Sequence, residues 1–370
     1  RRPPGGGPPP PPRPPPPPPA PRRGPPPHSP APPPPPGGPP PFTCRRLENP
    51  MPSPLGPLRA ALFVPSPASV RMVLSGFEQP DQHTALELEQ VTMHLVGGID
   101  SAVRSSDNDE LIAALLQVPP KYRGFAYEGA AVGLTAIDSL SPGRRAADLI
   151  DGPASDYALT MYVGVGLAMA KIPKLRWKKL FPQHPLFRWL AIDGYGFYKA
   201  FFQMQRYVRE KHVETRYPGW LGDRDNLKRI ADQGMGRALW FIGGGNPAGV
   251  VRLINEFDPK RHTDLWSGVG IAVTFAGGVE TAAMEELWDV AGEFRPQLSL
   301  GSAMVARIRQ QTNSVNEHSE AAAQVFCGTT VAKTDALIET SLDDLPDDGT
   351  SGTYLLWRDR IADIVTASRA

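Results

Sequence analysis

Six glycine-led segments constrain this chain more than any other feature. Glycines 129, 164, 194, 234, 268 and 301 each open a run of small and apolar residues, and their spacings of 35, 30, 40, 34 and 33 average about 34. That is the length of a two-helix repeat, in which each hairpin buries its apolar face on its neighbours. The repetition extends beyond glycine. Laying Val118-Pro119-Pro120-Lys121 over Phe257-Asp258-Pro259-Lys260, an offset of 139, brings Leu115 over Ile254, Tyr127 over Trp266 and Gly129 over Gly268. Another 33 residues on, Leu287, Leu298 and Gly301 fall in the same register. YVGVGLA (162–168) matches WSGVGIA (266–272), and Gly194-Tyr195-Gly196 matches Gly234-Met235-Gly236. The pattern predicts an all-α fold of about six helical-hairpin units with internal duplication, as a solenoid or a compact bundle. It splits residues 51–370 into two related halves, about 51–215 and 216–370. Each unit is expected to pair a short helix with a second helix that starts at its glycine motif.

Helix punctuation agrees. Thr84 with Glu87 reads as a capping box, the run Asp107-Asn108-Asp109-Glu110 puts negative charge at a helix start, and Asn246-Pro247 reads as an N-cap followed by proline in the first turn. Alternating Val/Ile/Thr runs bounded by Asn-Gly or Asp-Gly are missing, so strands are not expected.

Composition matters chiefly because it is uneven. Residues 1–41 hold 26 of the 45 prolines, and residues 1–50 carry seven Arg against one Glu. The formal total of +1 therefore leaves a net charge of −5 on residues 51–370. A mildly acidic body argues against nucleic acid as a partner, which needs clustered Lys and Arg. Residues 1–50 read as a disordered proline-rich tail. It is either a ligand for proline-recognition domains or an upstream region translated ahead of a true start at Met51. Outside the proline-rich segment the longest runs without charge, Tyr157–Ala170 and Leu265–Val279, are 14 and 15 residues, shorter than the roughly 20 that cross a bilayer. No signal-peptide pattern opens the sequence. Two cysteines, Cys44 and Cys327, form no disulfide framework. A soluble cytoplasmic protein without stable membrane insertion is expected.

Chemistry is harder to place. The seven His show no metal-ligand spacing, and neither a nucleophile elbow nor a phosphate-binding loop with its lysine occurs, so no metal is expected. GVGLAMA (164–170) and GVGIAVT (268–274) invite a dinucleotide reading, which would make the protein an NAD(P)-dependent oxidoreductase. That motif needs a strand before the glycines and an acidic residue some 20 positions on. Stripes such as Gly164/Ala168 and Gly268/Ala272/Ala276 fit close helix packing better, so no cofactor is expected. On that packing reading Leu at Gly164 or Gly268 should overpack, and Ala, favoured by helix propensity, should be milder. Glu128, Asp193, Asp232 and Arg237 stand inside apolar, small-residue segments, where a buried carboxylate titrates high and can move a proton. They are equally suited to helix caps or to ion pairs with Arg123, Arg188 or Arg237. His262, with Asp264, is placed in a loop before the fifth motif as an exposed catalytic group. Tyr127, Tyr162, Tyr195, Trp240 and Trp266 are candidates to line a groove for a long apolar ligand.

The segments RGFAYEGAAVGL (123–134), YVGVGLAMAKIP (162–173), RWLAIDGYGFYKAFF (188–202), DQGMGRALWF (232–241) and DLWSGVGIAVTFAGG (264–278) together resemble domain-of-unknown-function family 1702. The resemblance runs from MPSPLG at Met51 to YLLWRDRI near the C-terminus and leaves out the proline-rich tail. It implies a place in enediyne-type polyketide, that is antibiotic, biosynthesis, since genes of that family sit beside the polyketide synthase. It implies no reaction and no catalytic residues. The expectation is a pathway protein that binds, and in one form processes, an apolar polyene intermediate. The rival is a non-catalytic helical-repeat scaffold that docks other biosynthetic enzymes. A tunnel lined by Tyr127, Tyr195, Trp240 and Trp266 would favour ligand chemistry, and a solid core would favour docking.

Overall fold

Two residues along an α-helix turn about 200° around its axis, so the glycines of a Gly-x-Gly motif face opposite ways. That geometry organises the fold. A computed structural model describes residue 64 and residues 76–369; the proline-rich segment 1–50 lies outside the described residues. Among the described residues the chain forms fifteen α-helices and no strand. In chain order these are α1 Gln82–Arg104, α2 Asn108–Leu115, α3 Pro120–Leu140, α4 Arg145–Ile150 and α5 Ala158–Met169, followed by α6 Trp177–Leu180, α7 Leu190–Phe202, α8 Arg224–Ile242, α9 Pro247–Asn255 and α10 His262–Ala276. The chain closes with α11 Thr281–Ala291, α12 Arg295–Gln311, α13 Glu317–Cys327, α14 Val331–Thr340 and α15 Ser351–Arg369.

Seven of these, α1, α3, α5, α7, α8, α10 and α12, pack side by side in sequence order, and the shorter helices and loops return the chain between them. The glycines set how closely they pack. The first glycine of each motif lies on the preceding helix: Gly164 on the Glu128 carbonyl, Gly194 on Val163, Gly234 on Asp193, Gly268 on Gln233 and Gly301 on Ser267. The second lies on the following helix: Gly166 on Ala191, Gly196 on Ala231, Gly236 on Leu265 and Gly270 on Leu298. An ideal Cβ at each of these positions would overlap the named carbonyl oxygen. In α3 Ala131 takes the second place, and its methyl lies against Gly164. Alanine at these glycines is therefore already a clash, because the first side-chain carbon meets rigid backbone, and leucine remains the worse change.

The motifs also do not start helices. Gly129 is the tenth residue of α3 and Gly234 the eleventh of α8. The starts lie upstream, where caps are found. Asp107 caps α2 and Asn246 caps α9, with Pro247 in its first turn. At α1 the cap is Asp81, whose Oδ1 accepts from the Thr84 backbone N–H at 3.0 Å. Glu87 does not complete a capping box; it accepts from Lys121 at 2.6 Å and Tyr122 at 3.1 Å on α3.

The end of the series meets its beginning. Arg309, near the end of α12, donates to the Lys121 carbonyl at the start of α3 at 2.8 Å and to the Phe275 carbonyl of α10 at 2.9 Å. Its guanidinium lies over the Phe275 ring, 4.5 Å from the centroid. The C-terminal helix α15 packs on α12 and α8. It is locked by Arg358, which donates to Asp264 and to Ser267 Oγ on α10, both at 2.9 Å. Asp264 also accepts from Arg229 at 3.1 Å, so two guanidinium groups hold one buried carboxylate.

Candidate functional site

The series leaves an interior, and helical periodicity decides which side chains face it. With the two glycines turned toward the neighbouring helices, the residue before the first glycine and the residue three after it share the inner face. Glu128 and Asp193 hold the first of these positions, and Arg237, Ile271 and Met304 the second. All five line one cavity of about 30 Å³, together with Phe275 and with Trp357 of α15. Glu128 is 2% exposed, Asp193 0% and Arg237 7%.

Arg237 Nη1 donates to Asp193 Oδ1 at 2.6 Å, and its Nη2 stands 3.8 Å from Glu128 Oε1. Its guanidinium also lies 5.2 Å from the Phe197 ring centroid. Burial pushes the Glu128 carboxyl up to about 7; Arg237 opposes this and the charge of Asp193 adds to it. Burial raises Asp193 as well, offset in part by Arg237. An acid titrating near neutrality inside a dry, apolar interior can give or take a proton there. Asp193 Oδ2, Gln233 Oε1, Tyr354 Oη and Trp357 Nε1 are buried in this region without a hydrogen-bond partner.

A second cavity of about 30 Å³ lies on the other side of the charged group. It shares Glu128, Arg237, Ile271 and Phe275 with the first and is otherwise walled by apolar residues, including Val91, Leu95, Phe125 and Phe241. Beyond it lies a polar cavity of about 520 Å³, lined by residues that include His83, Glu87, Lys121, Gly277 and His318. Three elements carry the lining from one cavity to the next. Glu87 gives way to Val91 on α1 and Lys121 to Phe125 on α3, each one helical turn deeper, and Gly277 to Ala276 on α10. Arg309 bonds the Lys121 carbonyl of the outer lining and the Phe275 carbonyl of the inner one.

The remaining candidates lie elsewhere. Asp232, two residues before its glycine, faces outward and is held by both ends of Arg261, at 2.5 and 2.9 Å. His262 is not an exposed loop residue. It is the first residue of α10, is buried, and has Nε2 3.1 Å from the Phe257 carbonyl. Asp264 is likewise buried, in its ion pairs with Arg358 and Arg229. Tyr127 stacks on Tyr157, Tyr162 packs near His184, and Trp266 lies parallel to Phe294. Tyr195 donates to Glu214 at 3.0 Å, and Trp240 is buried near the Gly245 turn. None of these five aromatic residues lines either interior cavity, so the expected tunnel of Tyr127, Tyr195, Trp240 and Trp266 does not form. Tyr127, Tyr162 and Trp266 stand two before their glycines and Tyr195 one after, positions on the outer face. The wall is instead Phe125, Phe197, Phe275 and Met304, which the same register could have located, and Trp357 of α15, which lies outside the glycine motifs.

Of the arginines considered as partners, Arg237 pairs with Glu128 and Asp193, whereas Arg123 donates to the Val118 and Leu116 carbonyls. GVGLAMA lies in α5 up to its last residue, with Gly164 and Gly166 filled by neighbouring backbone, so it is no strand-turn-helix phosphate cradle. Among the described residues no group of three His, Cys, Asp or Glu is placed to hold a metal ion. No helix among them is long and apolar enough to cross a membrane.

Fold and site together define an all-α protein whose glycine-locked helices enclose a buried Glu–Arg–Asp group. The chain belongs to the family described as protein of unknown function (DUF1702), whose profile matches residues 54–365. No curated protein and no solved structure matches it.

Proposed function

We propose that this protein binds an elongated apolar molecule of polyketide type in the interior of its helix series, and that Glu128 exchanges a proton with it. The family resemblance suggests the setting, an enediyne-type pathway in which a polyene intermediate is matured. The observation that carries the reading is the placement of Glu128 and Arg237 in the walls of two apolar cavities, with Asp193 in the first, and of a polar cavity one helical turn out along α1 and α3. Ligand sites are apolar concavities with a few placed polar groups, and this interior has that composition. The two inner cavities are small, so a long ligand enters by displacing the side chains of Phe275 and Met304.

The linear polyene 1,6-diphenylhexatriene, which fluoresces in apolar surroundings, tests the binding step with the full chain. Saturable binding at one site is expected, and Met304→Trp, which fills the interior, should abolish it while a cooperative melt is retained. Absence of saturable binding, or wild-type binding by a folded Met304→Trp protein, would overturn the reading. Deleting the gene in a producing organism tests the pathway: a polyene should accumulate in place of the mature product, and an unchanged product removes the pathway assignment.

A further inference from the structure

Two polar atoms of opposite hydrogen-bonding character stand unanswered at one cavity. Asp193 and Trp357 both line the cavity of about 30 Å³ beside α15, and they are 0% and 1% exposed. Neither Asp193 Oδ2 nor Trp357 Nε1 has a hydrogen-bond partner. Buried polar atoms are nearly always satisfied in native proteins, so such a pair calls for an occupant.

Most other polar groups of this lining are engaged. Thr160 donates to the Tyr157 carbonyl at 2.9 Å, and Arg307 pairs with Asp335 and Glu339 through Nη1, its Nε being a further buried donor without a partner. Arg237 holds Asp193 Oδ1 at 2.6 Å and faces Glu128. The rest of the wall is apolar, including Leu159, Val163, Leu190 and Met304.

The chemistry of the two atoms selects the group between them. An ionised carboxylate oxygen only accepts a hydrogen bond, and an indole N–H only donates one. A hydrocarbon answers neither. A ketone or ether answers the indole alone. A hydroxyl answers both, and a cavity of this volume has room for one such group. We propose that this cavity seats a hydroxyl carried on the apolar ligand, donating to Asp193 Oδ2 and accepting from Trp357 Nε1. The ligand class is then an alcohol on a linear apolar skeleton, with its hydroxyl beside Glu128. This rests on the reading that the interior binds an apolar molecule.

The test displaces bound 1,6-diphenylhexatriene from the full chain with 1-decanol, its methyl ether or n-decane. Decanol is expected to displace the probe at about one tenth of the ether concentration, although the ether is the more hydrophobic. In Trp357→Phe, which keeps an aromatic ring and removes the donor, decanol should weaken about tenfold while decane changes less than twofold. The wild-type alcohol–ether comparison decides the matter even if that variant fails to fold. If the ether matches decanol, or if Trp357→Phe weakens decanol and decane alike, the cavity holds a structural water only and the proposal falls, while interior binding stands. If the polyene probe itself does not bind, the interior reading fails and takes this one with it.

Discussion

Gly97 and Gly98 are adjacent on α1, yet alanine should shift stability in opposite directions at the two positions. An ideal Cβ on Gly97 meets nothing within 4 Å, so alanine there gains only helix propensity, about 1 kcal/mol. A Cβ on Gly98 overlaps the Ala126 carbonyl oxygen and stands 2.8 Å from its carbon and 3.0 Å from its Cα. All three atoms are backbone of α3, so no rotamer change relieves the clash. Restoring ordinary carbon contact, roughly 3.5–4 Å, requires α1 and α3 to separate along a line where they also touch at Gly129 and Gly133. Overpacking of this kind costs about 1–3 kcal/mol. A rigid contact belongs at the upper end, and subtracting the propensity gain leaves a net loss of about 2 kcal/mol. Unfolding entropy of about 2 cal/mol/K per residue, over the 294 residues from 76 to 369, gives roughly 0.6 kcal/mol/K. Gly98→Ala should then lower Tm by about 3 °C, and Gly97→Ala should raise it by about 1–2 °C. Calorimetric melts of the two single variants decide the matter. Shifts of the same sign, or a Gly98→Ala protein as stable as wild type, would refute the close-approach argument. Gly164→Ala and Gly268→Ala should behave like Gly98→Ala, with leucine at either position worse.

Three further outcomes are expected. Glu128 titrates near 7 when folded against 4.5 for the free group, so its protonation favours the fold. That contribution is full below about 4.5 and is lost as pH rises through about 7. Glu128→Gln stays neutral, so denaturant titrations between pH 5 and 8 should show wild-type stability falling relative to the variant; parallel profiles would contradict this. Arg358→Met leaves Asp264 buried with only the half-exposed Arg229 and should cost roughly 3 kcal/mol or more; a loss under 1 kcal/mol by chemical denaturation would show that Arg229 alone suffices. Burial pushes the Cys327 thiol up to about 12, so mass spectrometry after a thiol reagent at pH 7 should find Cys327 unmodified until the protein is unfolded.

Much of the architecture is legible along the chain. The spacing of the glycines near 34 residues, the caps at Asp107 and Asn246 and the absence of strand patterning all lead to an all-α repeat. They do so because each is a local signal: periodicity and capping are fixed within a few residues. The helix starts were harder to place, since a glycine looks like a helix boundary in sequence but serves here as a mid-helix contact. The candidate site was legible in part. Glu128, Asp193 and Arg237 stood out as charges among small residues, and the structure brings those three together. The same criterion also picked Asp232 and His262, which the fold buries away from that interior, in contact with Arg261 and with the Phe257 carbonyl.

What the sequence alone determines is therefore the class of fold, the period of its repeat and the residues whose charge is anomalous. Which of those charges meet is decided by tertiary structure. Glu128, Asp193 and Arg237 lie on three different helices, α3, α7 and α8, and Trp357 reaches the same cavity from α15. Their convergence depends on the angle at which each helix crosses the last, accumulated over the series until Arg309 on α12 bonds the Lys121 carbonyl on α3. The individual crossings are set by glycine contacts that sequence can suggest. The sum of the crossing angles, which decides whether the series closes around an interior, is a property of the whole assembly of backbones and is written at no single position.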